Sequence, residues 1–417
     1  MTAQMLNRNF IFKIFLAFLF LFIFRIGVYL PSPIVNAEYF LSKLTTFSQG
    51  LFVGTISTIS SGVFGSFSIL SLGVMPYILS SIMTQIISYI YQDSKSNNSK
   101  DAAFYAKISR IFTLVFALIQ STILLFTMKN TCDVFYCNAM SREMIYFIAL
   151  ISVVAGSMIS VWIGEAITEY CVGNGISMII FTNIGFDFVS GLIKVFTSTD
   201  AGFSNLFLAL FLIFGVICVI VLCEKSVRLV DVQYSSSSKK NNDNLLSFIP
   251  MKLNFAGVMP MIFTATIIGF FMSSLNLAIG VFGGMFDDFI LFALRSKVFY
   301  YCIYFTFILL FALIYNNVSF NVEKVSDSLR KTSGVIPNVK PGLMTIQYFS
   351  VLLRKLTVIG VFYLFLVSVF VDYFKVILNI DSFIGGTSYL IITVIALELI
   401  NKYQVEILNA RYSEYVL

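Results

Sequence analysis

The sequence predicts an all-α polytopic membrane protein, with ten transmembrane helices in two inverted five-helix halves, and three observations lead there. The first is composition: 58% of the 417 residues are hydrophobic and only 12% are charged, far from the balance of a soluble domain. The second is recurrence of apolar runs of about 20 residues, the length that crosses a bilayer as a helix. The third is an internal repeat. Gly73-Val74-Met75-Pro76-Tyr77-Ile78 returns 184 residues later as Gly257-Val258-Met259-Pro260-Met261-Ile262, identical at five of six positions. Each copy sets a glycine and a proline at the entrance of an apolar span, where proline is best tolerated. Interrupted spans at matching places in two halves point to a structural repeat with a transport path at its interface.

The spans lie near 11–30, 74–91, 109–128, 144–162, 177–196, 205–223, 255–272, 298–316, 351–371 and 384–401. Ten divide as five plus five, giving halves 1–200 and 201–417. An odd number per half makes the second half enter from the opposite side, so the repeat is inverted. The two GVMP copies open the second span of each half. A fainter echo opens the fifth and tenth spans, Gly175-Ile176-Ser177 and Gly386-Thr387-Ser388. The first span holds Arg25 and no small-residue cleavage site follows it, so it reads as a retained helix rather than a signal peptide. Arg25 is expected to face protein or water.

Residues 40–72 are too polar for a lipid-facing span and too apolar for a free loop. Irregular backbone at membrane depth survives only where protein or a water-filled cavity surrounds it, so about 57–72 is read as a short re-entrant segment. Two long loops follow, 224–252 and 317–350. The first has a Ser/Asn-rich basic tip with Lys239 and Lys240, read as flexible. The second ends in Pro337, Lys340, Pro341 and Gly342, which predicts tight turns. Cys132 and Cys137 alone share a polar loop, which has room for one local disulfide, and unpaired thiols are the expectation.

Charge then orients the chain. Of 27 basic residues, 19 fall on the side that holds both termini and the two long loops, 7 fall opposite, and Arg25 lies within a span. The positive-inside rule makes that side cytoplasmic. The net charge of +6 is therefore accounted for by anionic lipid or a cytosolic partner, with no direct nucleic-acid readout implied. A secondary solute or ion transporter with inverted repeats is the rival class, and it calls for ionisable groups near the midplane. Asp187 and Glu398 are the candidates for that role. With no histidine in the chain there is no Ser/His pair and no imidazole ligand, so neither an enzyme nor a cofactor or metal site is expected.

These residues carry a resemblance. The chain resembles the SecY family, channel subunits of the Sec translocon, over nearly its whole length. The likeness rests on Phe24-Arg25-Ile26-Gly27 with Pro31 and Pro33, and on Leu72 through Ile78. It continues in Trp162-Ile163-Gly164-Glu165 with Thr168 and Glu169, and in Gly173 through Ser177. Asn254 through Pro260, Pro341-Gly342 and Gly385 through Ser388 complete it. The resemblance implies a clamshell around an hourglass pore that passes unfolded secretory polypeptides and releases membrane helices sideways. It implies a waist ring at Ile78, Ile82, Ile176, Ile180, Ile262 and Ile391. It also implies a plug near 57–72 and a lateral gate between spans two and three and spans seven and eight. Gln85 and Gln120, mid-span, would face that gate or the cavity, or serve as interhelical hydrogen-bond glue.

Partners implied are SecE-like and SecG-like small membrane subunits, signal peptides and nascent chains. A SecA-type motor ATPase or a ribosome would dock on the cytoplasmic face through Arg330, Lys331, Lys340, Pro341, Gly342, Lys239 and Lys240. The implied location is a bacterial inner membrane or an organellar membrane of bacterial descent. One departure stands out. The family pattern has arginine where this chain has Lys340, which keeps the charge and loses the bidentate fork.

Overall fold

The computed structural model describes residues 2–32, 68–91, 99–128, 142–171, 173–197, 203–234, 247–282, 297–377 and 385–416. A long helix coincides with each predicted span. In chain order α1 is Thr2–Tyr29, α2 Met75–Tyr91, α3 Ser99–Met128, α4 Arg142–Tyr170, α5 Gly175–Thr197 and α6 Phe203–Lys225. Then come α7 Met259–Phe282, α8 Lys297–Ser319, the short α9 Val322–Lys331, α10 Leu343–Ile377 and α11 Gly386–Val416. Among the described residues, six of these (α1, α3, α4, α5, α8 and α10) are long and apolar enough to cross a membrane.

The two repeat copies make the same turn. Gly73 and Gly257 both sit in the left-handed region, at φ +51° and +60°, which a side chain disfavours. Helices α2 and α7 then begin at the matching methionines, with Pro76 and Pro260 in the first turn. There a missing N–H costs nothing, because helix geometry offers it no acceptor. The first bonds also match: Ile78 N–H donates to Val74 O and Ile262 N–H to Val258 O, each at 3.2 Å.

The fainter echo proves structural too. Gly175 and Gly386 each begin a helix pressed against the one before it. A Cβ at Gly175 would collide with the Gly164 carbonyl of α4, and one at Gly386 with the Ser368 carbonyl of α10. The same preceding helix caps each start. Gly175 N–H donates to Thr168 Oγ1 at 2.8 Å, and Gly386 N–H to Asp372 Oδ1 at 2.9 Å.

A single apolar core runs through the bundle, drawing on all the long helices except α3 for its buried members. The outward side is also apolar: Phe12, Phe15, Phe18 and Phe22 of α1 stand exposed, as a hydrocarbon surround requires. Buried Thr264 and Thr393 donate to carbonyls four residues back at 2.7 Å, so small hydroxyls enter the spans without needing partners elsewhere. Cys171, Cys218, Cys223 and Cys302 are free thiols. Cys132 and Cys137 lie outside the described residues.

The predominantly helical architecture carries one addition. The all-α reading omits a small antiparallel sheet, order β2-β1-β3, built from β1 Val227–Tyr234, β2 Ser247–Lys252 and β3 Gly334–Val335. Loop 224–252, read as flexible at its basic tip, is thus paired strand on both flanks, and the tip with Lys239 and Lys240 lies outside the described residues. The physical reason is alternation: Val230 and Val232 are buried while Leu229, Asp231 and Gln233 are exposed, a period of two that covers an apolar surface. That surface holds Met251, Leu329 of α9, Ile336, and Phe349 and Leu353 of α10.

The re-entrant stretch 57–72 is described only from residue 68. There it is a run of buried turns fixed to its surroundings. Ile69 N–H donates to Leu30 O at 3.1 Å, and Ser68 bridges Pro31. Gly27 and Gly156 leave the room it occupies, since a Cβ at either would strike Leu70 or the Ile69 carbonyl.

Candidate functional site

The left-handed turn at Gly73 aims α2 so that Ile78 and Ile82, four apart and on one face, point into the core. Its twin at Gly257 does the same for Ile262 on α7. The close approach at Gly175 delivers Ile176 and Ile180 on α5, and Gly386 delivers Ile391 on α11. Ile78, Ile82, Ile180, Ile262 and Ile391 are all buried in one apolar cluster, with half-buried Ile176 packed on it.

Above this cluster opens a cavity of about 590 Å³. Ile78, Ile176, Ile180 and Ile262 line it, whereas Ile82 and Ile391 do not and belong to the packed layer. Met259 and Phe263 add to this apolar part, and most of the remaining lining is polar, with Gln85, Ser81, Asn174, Arg110, Glu165, Glu169 and Lys402. A largely polar vestibule therefore meets branched aliphatic side chains. Such side chains hold no ion and offer no hydrogen bond, and a narrow passage lined by them excludes water.

Charge in the vestibule is partly paired. Arg110 of α3 donates to Glu165 of α4 through Nη2 at 3.0 Å and Nε at 3.4 Å. Both groups are solvated, so the pair contributes at most about 1 kcal/mol. Sequence reasoning assigned these two no role. The available signal was that both sit near the cytoplasmic ends of adjacent spans.

The two glutamines part company. Gln85 lines the cavity, while Gln120 is buried elsewhere on α3 and its Oε1 accepts no hydrogen bond from the described residues. Helix α3 meets α7 directly: Phe116 and Phe270 stack edge to face at 6.5 Å. Arg25 faces protein as expected, its guanidinium 4.2 Å from the Phe186 ring and 3.2 Å from the Tyr29 hydroxyl.

Arg330, Lys331, Lys340 and Pro341 are all exposed on the sheet's sub-core. Gly342, at φ +106°, closes a turn that starts α10, with Thr345 N–H on its carbonyl at 3.0 Å. Ser326 of α9 reaches that same carbonyl at 3.4 Å. Leu343 and Met344 stand exposed beside the turn. Basic and apolar groups thus sit side by side on a rigid corner.

Comparison with known proteins gives one consistent answer. The SecY family model matches residues 68–400. The chain is similar to a protein of Buchnera aphidicola subsp. Schizaphis graminum named protein translocase subunit SecY, 30% identical over 408 residues and covering 94% of this chain and 91% of that one. In fold it is similar to a solved structure described as a protein conducting channel, with TM-score 0.68, 12% identity and coverage of 94% and 92%. It is likewise similar to Sec61 in the canine ribosome–channel complex from the endoplasmic reticulum, with TM-score 0.64, 12% identity and coverage of 94% and 92%. A family match over most of the chain, and a relative aligned nearly end to end, agree with the channel-like arrangement of the repeats: the chain belongs to the SecY family.

Proposed function

We propose that this chain is a protein-conducting channel that passes unfolded secretory polypeptides across the membrane and releases membrane-protein helices sideways into it. The observation that carries this is a largely polar cavity that meets isoleucines from α2, α5 and α7, backed by Ile82 and Ile391. An apolar ring closes around varied side chains without choosing among them, which suits a polypeptide and not a particular solute. In this reading ten helices cross the bilayer as two inverted halves, 1–200 and 201–417. The matched turns at Gly73 and Gly257, and the matched close approaches at Gly175 and Gly386, support that symmetry.

The lateral gate runs between α2 and α3 on one side and α7 and α8 on the other, with Gln85 and Gln120 nearby. The plug occupies about 57–72, of which residues 68–72 are tied to the end of the first helix by the bond from Ile69 N–H to Leu30 O. Small SecE-like and SecG-like subunits complete the channel in a bacterial inner membrane or an organellar membrane of bacterial descent. Cysteines placed at Tyr77 and Met259, which line the vestibule, should form disulfides with a cysteine in an arrested translocating polypeptide. A lipid-facing control at Phe18 should not. Equal capture at all three sites would sink the channel reading.

The docking face comprises Arg330, Lys331, Lys340, Pro341 and Gly342, with Lys239 and Lys240 on the tip of the first long loop. It takes a motor ATPase or a ribosome; the ribosome-bound structure among those similar in fold supports the latter. This places both termini in the cytoplasm, as the charge asymmetry argues. In inside-out vesicles a cysteine at exposed Val335 should label from the bath, and Lys340→Glu should weaken partner binding about tenfold through lost charge-assisted contacts. Labelling only after the vesicles are broken would reverse the topology. Unchanged partner affinity would remove Lys340 from the interface.

A further inference from the structure

The vestibule and docking face leave one polar cluster unused, where the cytoplasmic sheet passes into α7. Residues 253–258 form that lead-in, and three sides hold it. On the first, Asn254, buried, donates through Nδ2 to Glu224 Oε1 at the end of α6 at 2.7 Å, and to the Gly257 carbonyl at 3.0 Å. Tyr363 of α10 donates its hydroxyl to the same Glu224 oxygen. On the second side, Gly360 of α10 lies against the chain: a Cβ there would stand 3.2 Å from the Leu253 carbonyl. On the third, Glu398 of α11 lies so close that a Cβ at Gly257 would come within 2.8 Å of its Oε1.

Strand β2 runs straight into this clamp. Leu253 N–H donates to Ser226 O at 3.1 Å, so sheet and α6 end are tied just before it. Beyond it, α7 starts at Met259 and carries Met259 and Ile262 into the vestibule wall. One carboxylate oxygen therefore joins α6, the sheet's exit and α10 at the point that sets the position of α7. Burial pushes the Glu224 carboxyl up, and the bonds from Tyr363 and Asn254 with the nearby Lys252 ammonium oppose that push.

We infer that Glu224 and Asn254 are positioning residues for α7, a hydrogen-bonded clamp that holds this wall in its resting place. Loosening it lets the wall drift and the channel leak. The inference rests on the reading of α7 as pore-lining. It follows from three features. The bonds are directional and few, so a small displacement of the sheet breaks them. The acceptor is a carboxylate, which makes each bond stronger than a neutral one. The glycines at 257 and 360 leave no side chain to hold the lead-in should the bonds part.

The test is resting ion leak through the full-length chain in sealed native membrane vesicles, with thermal unfolding measured on the same material. Glu224→Ala and Asn254→Ala should each raise leak about tenfold, in proportion to a lost hydrogen bond to a charged group. Combined, they should raise it by clearly less than the product of the two single effects, since the Asn254–Glu224 bond is lost in both. Glu224→Gln keeps an acceptor and should stay within about threefold of the parent. Tyr363→Phe, which removes one hydroxyl, should leak measurably and serves if the alanine variants fail to insert.

Leak that multiplies in the double variant would mean two independent structural defects and would overturn the clamp. So would leak unchanged in every variant while asparagines at Ile82 and Ile262 do leak. If those asparagines are silent as well, the pore reading fails first and takes the clamp with it.

Discussion

Replacing Ile82 and Ile262 together with asparagine should raise resting ion leak by at least about tenfold. An unpartnered amide in an apolar layer costs about 1–3 kcal/mol, and water entering the layer removes that cost. Two such groups on opposite helices therefore favour the wet state by several kcal/mol, more than enough for that change in population. Ile82 and Ile262 are 3% and 2% exposed, so the dry state is the one now built into the packing. Planar-bilayer recording measures the leak, and insertion is assayed separately. A double variant as silent as the parent would show that these side chains do not form the seal.

The second large effect concerns the paired close approaches. Gly175→Ala and Gly386→Ala should each destabilise the chain by about 1–3 kcal/mol, because overpacking a tight contact forces the backbone to move. The obstructing atoms are main-chain carbonyls of α4 and α10, which cannot rotate aside. Gly215→Ala is the contrast. A Cβ there meets nothing within 4 Å, so the exchange should gain about 0.5–1 kcal/mol from helix propensity alone. Denaturant unfolding of the full chain in detergent reads all three. Equal stability of the three variants would show that the close approaches carry no strain.

The helices and their starts were legible because hydropathy and the Gly/Pro punctuation act locally. The five-residue identity recurs in the structure as the same left-handed turn at Gly73 and Gly257, and the weaker Gly175/Gly386 echo as the same close approach of helices. The sheet escaped notice for a definite reason. Val230 and Val232 alternate with Asp231 and Gln233 inside a basic, serine-rich stretch, and composition there outweighed period.

The site was legible only in part. Isoleucines spaced by four announce a face, yet nothing in the sequence says which face meets another helix. Arg110 and Glu165 are 55 residues apart and Glu224 and Tyr363 are 139 apart. Such pairings exist only once the helices have docked, so local patterns could not show them. The split between Ile78, which lines the vestibule, and Ile82, which lies in the layer beneath, likewise depends on where one helix crosses the next.

Helix α10 has a mechanical consequence. It runs unbroken from Leu343 to Ile377. Its first turns are buried in the sub-core beneath the sheet through Phe349, Leu352, Leu353 and Leu356, and its later ones in the main helical core through Val361, Leu364 and Val371. At 1.5 Å per residue it is a rod of about 52 Å, so a tilt of about 5° at one end carries the other through about 4–5 Å. The corner at Lys340 sits at one tip, and Asp372, which holds the start of α11, lies near the other. A load applied to that corner thus has leverage on the opposite end of the helix through one stiff member, with no relay of small rearrangements in between.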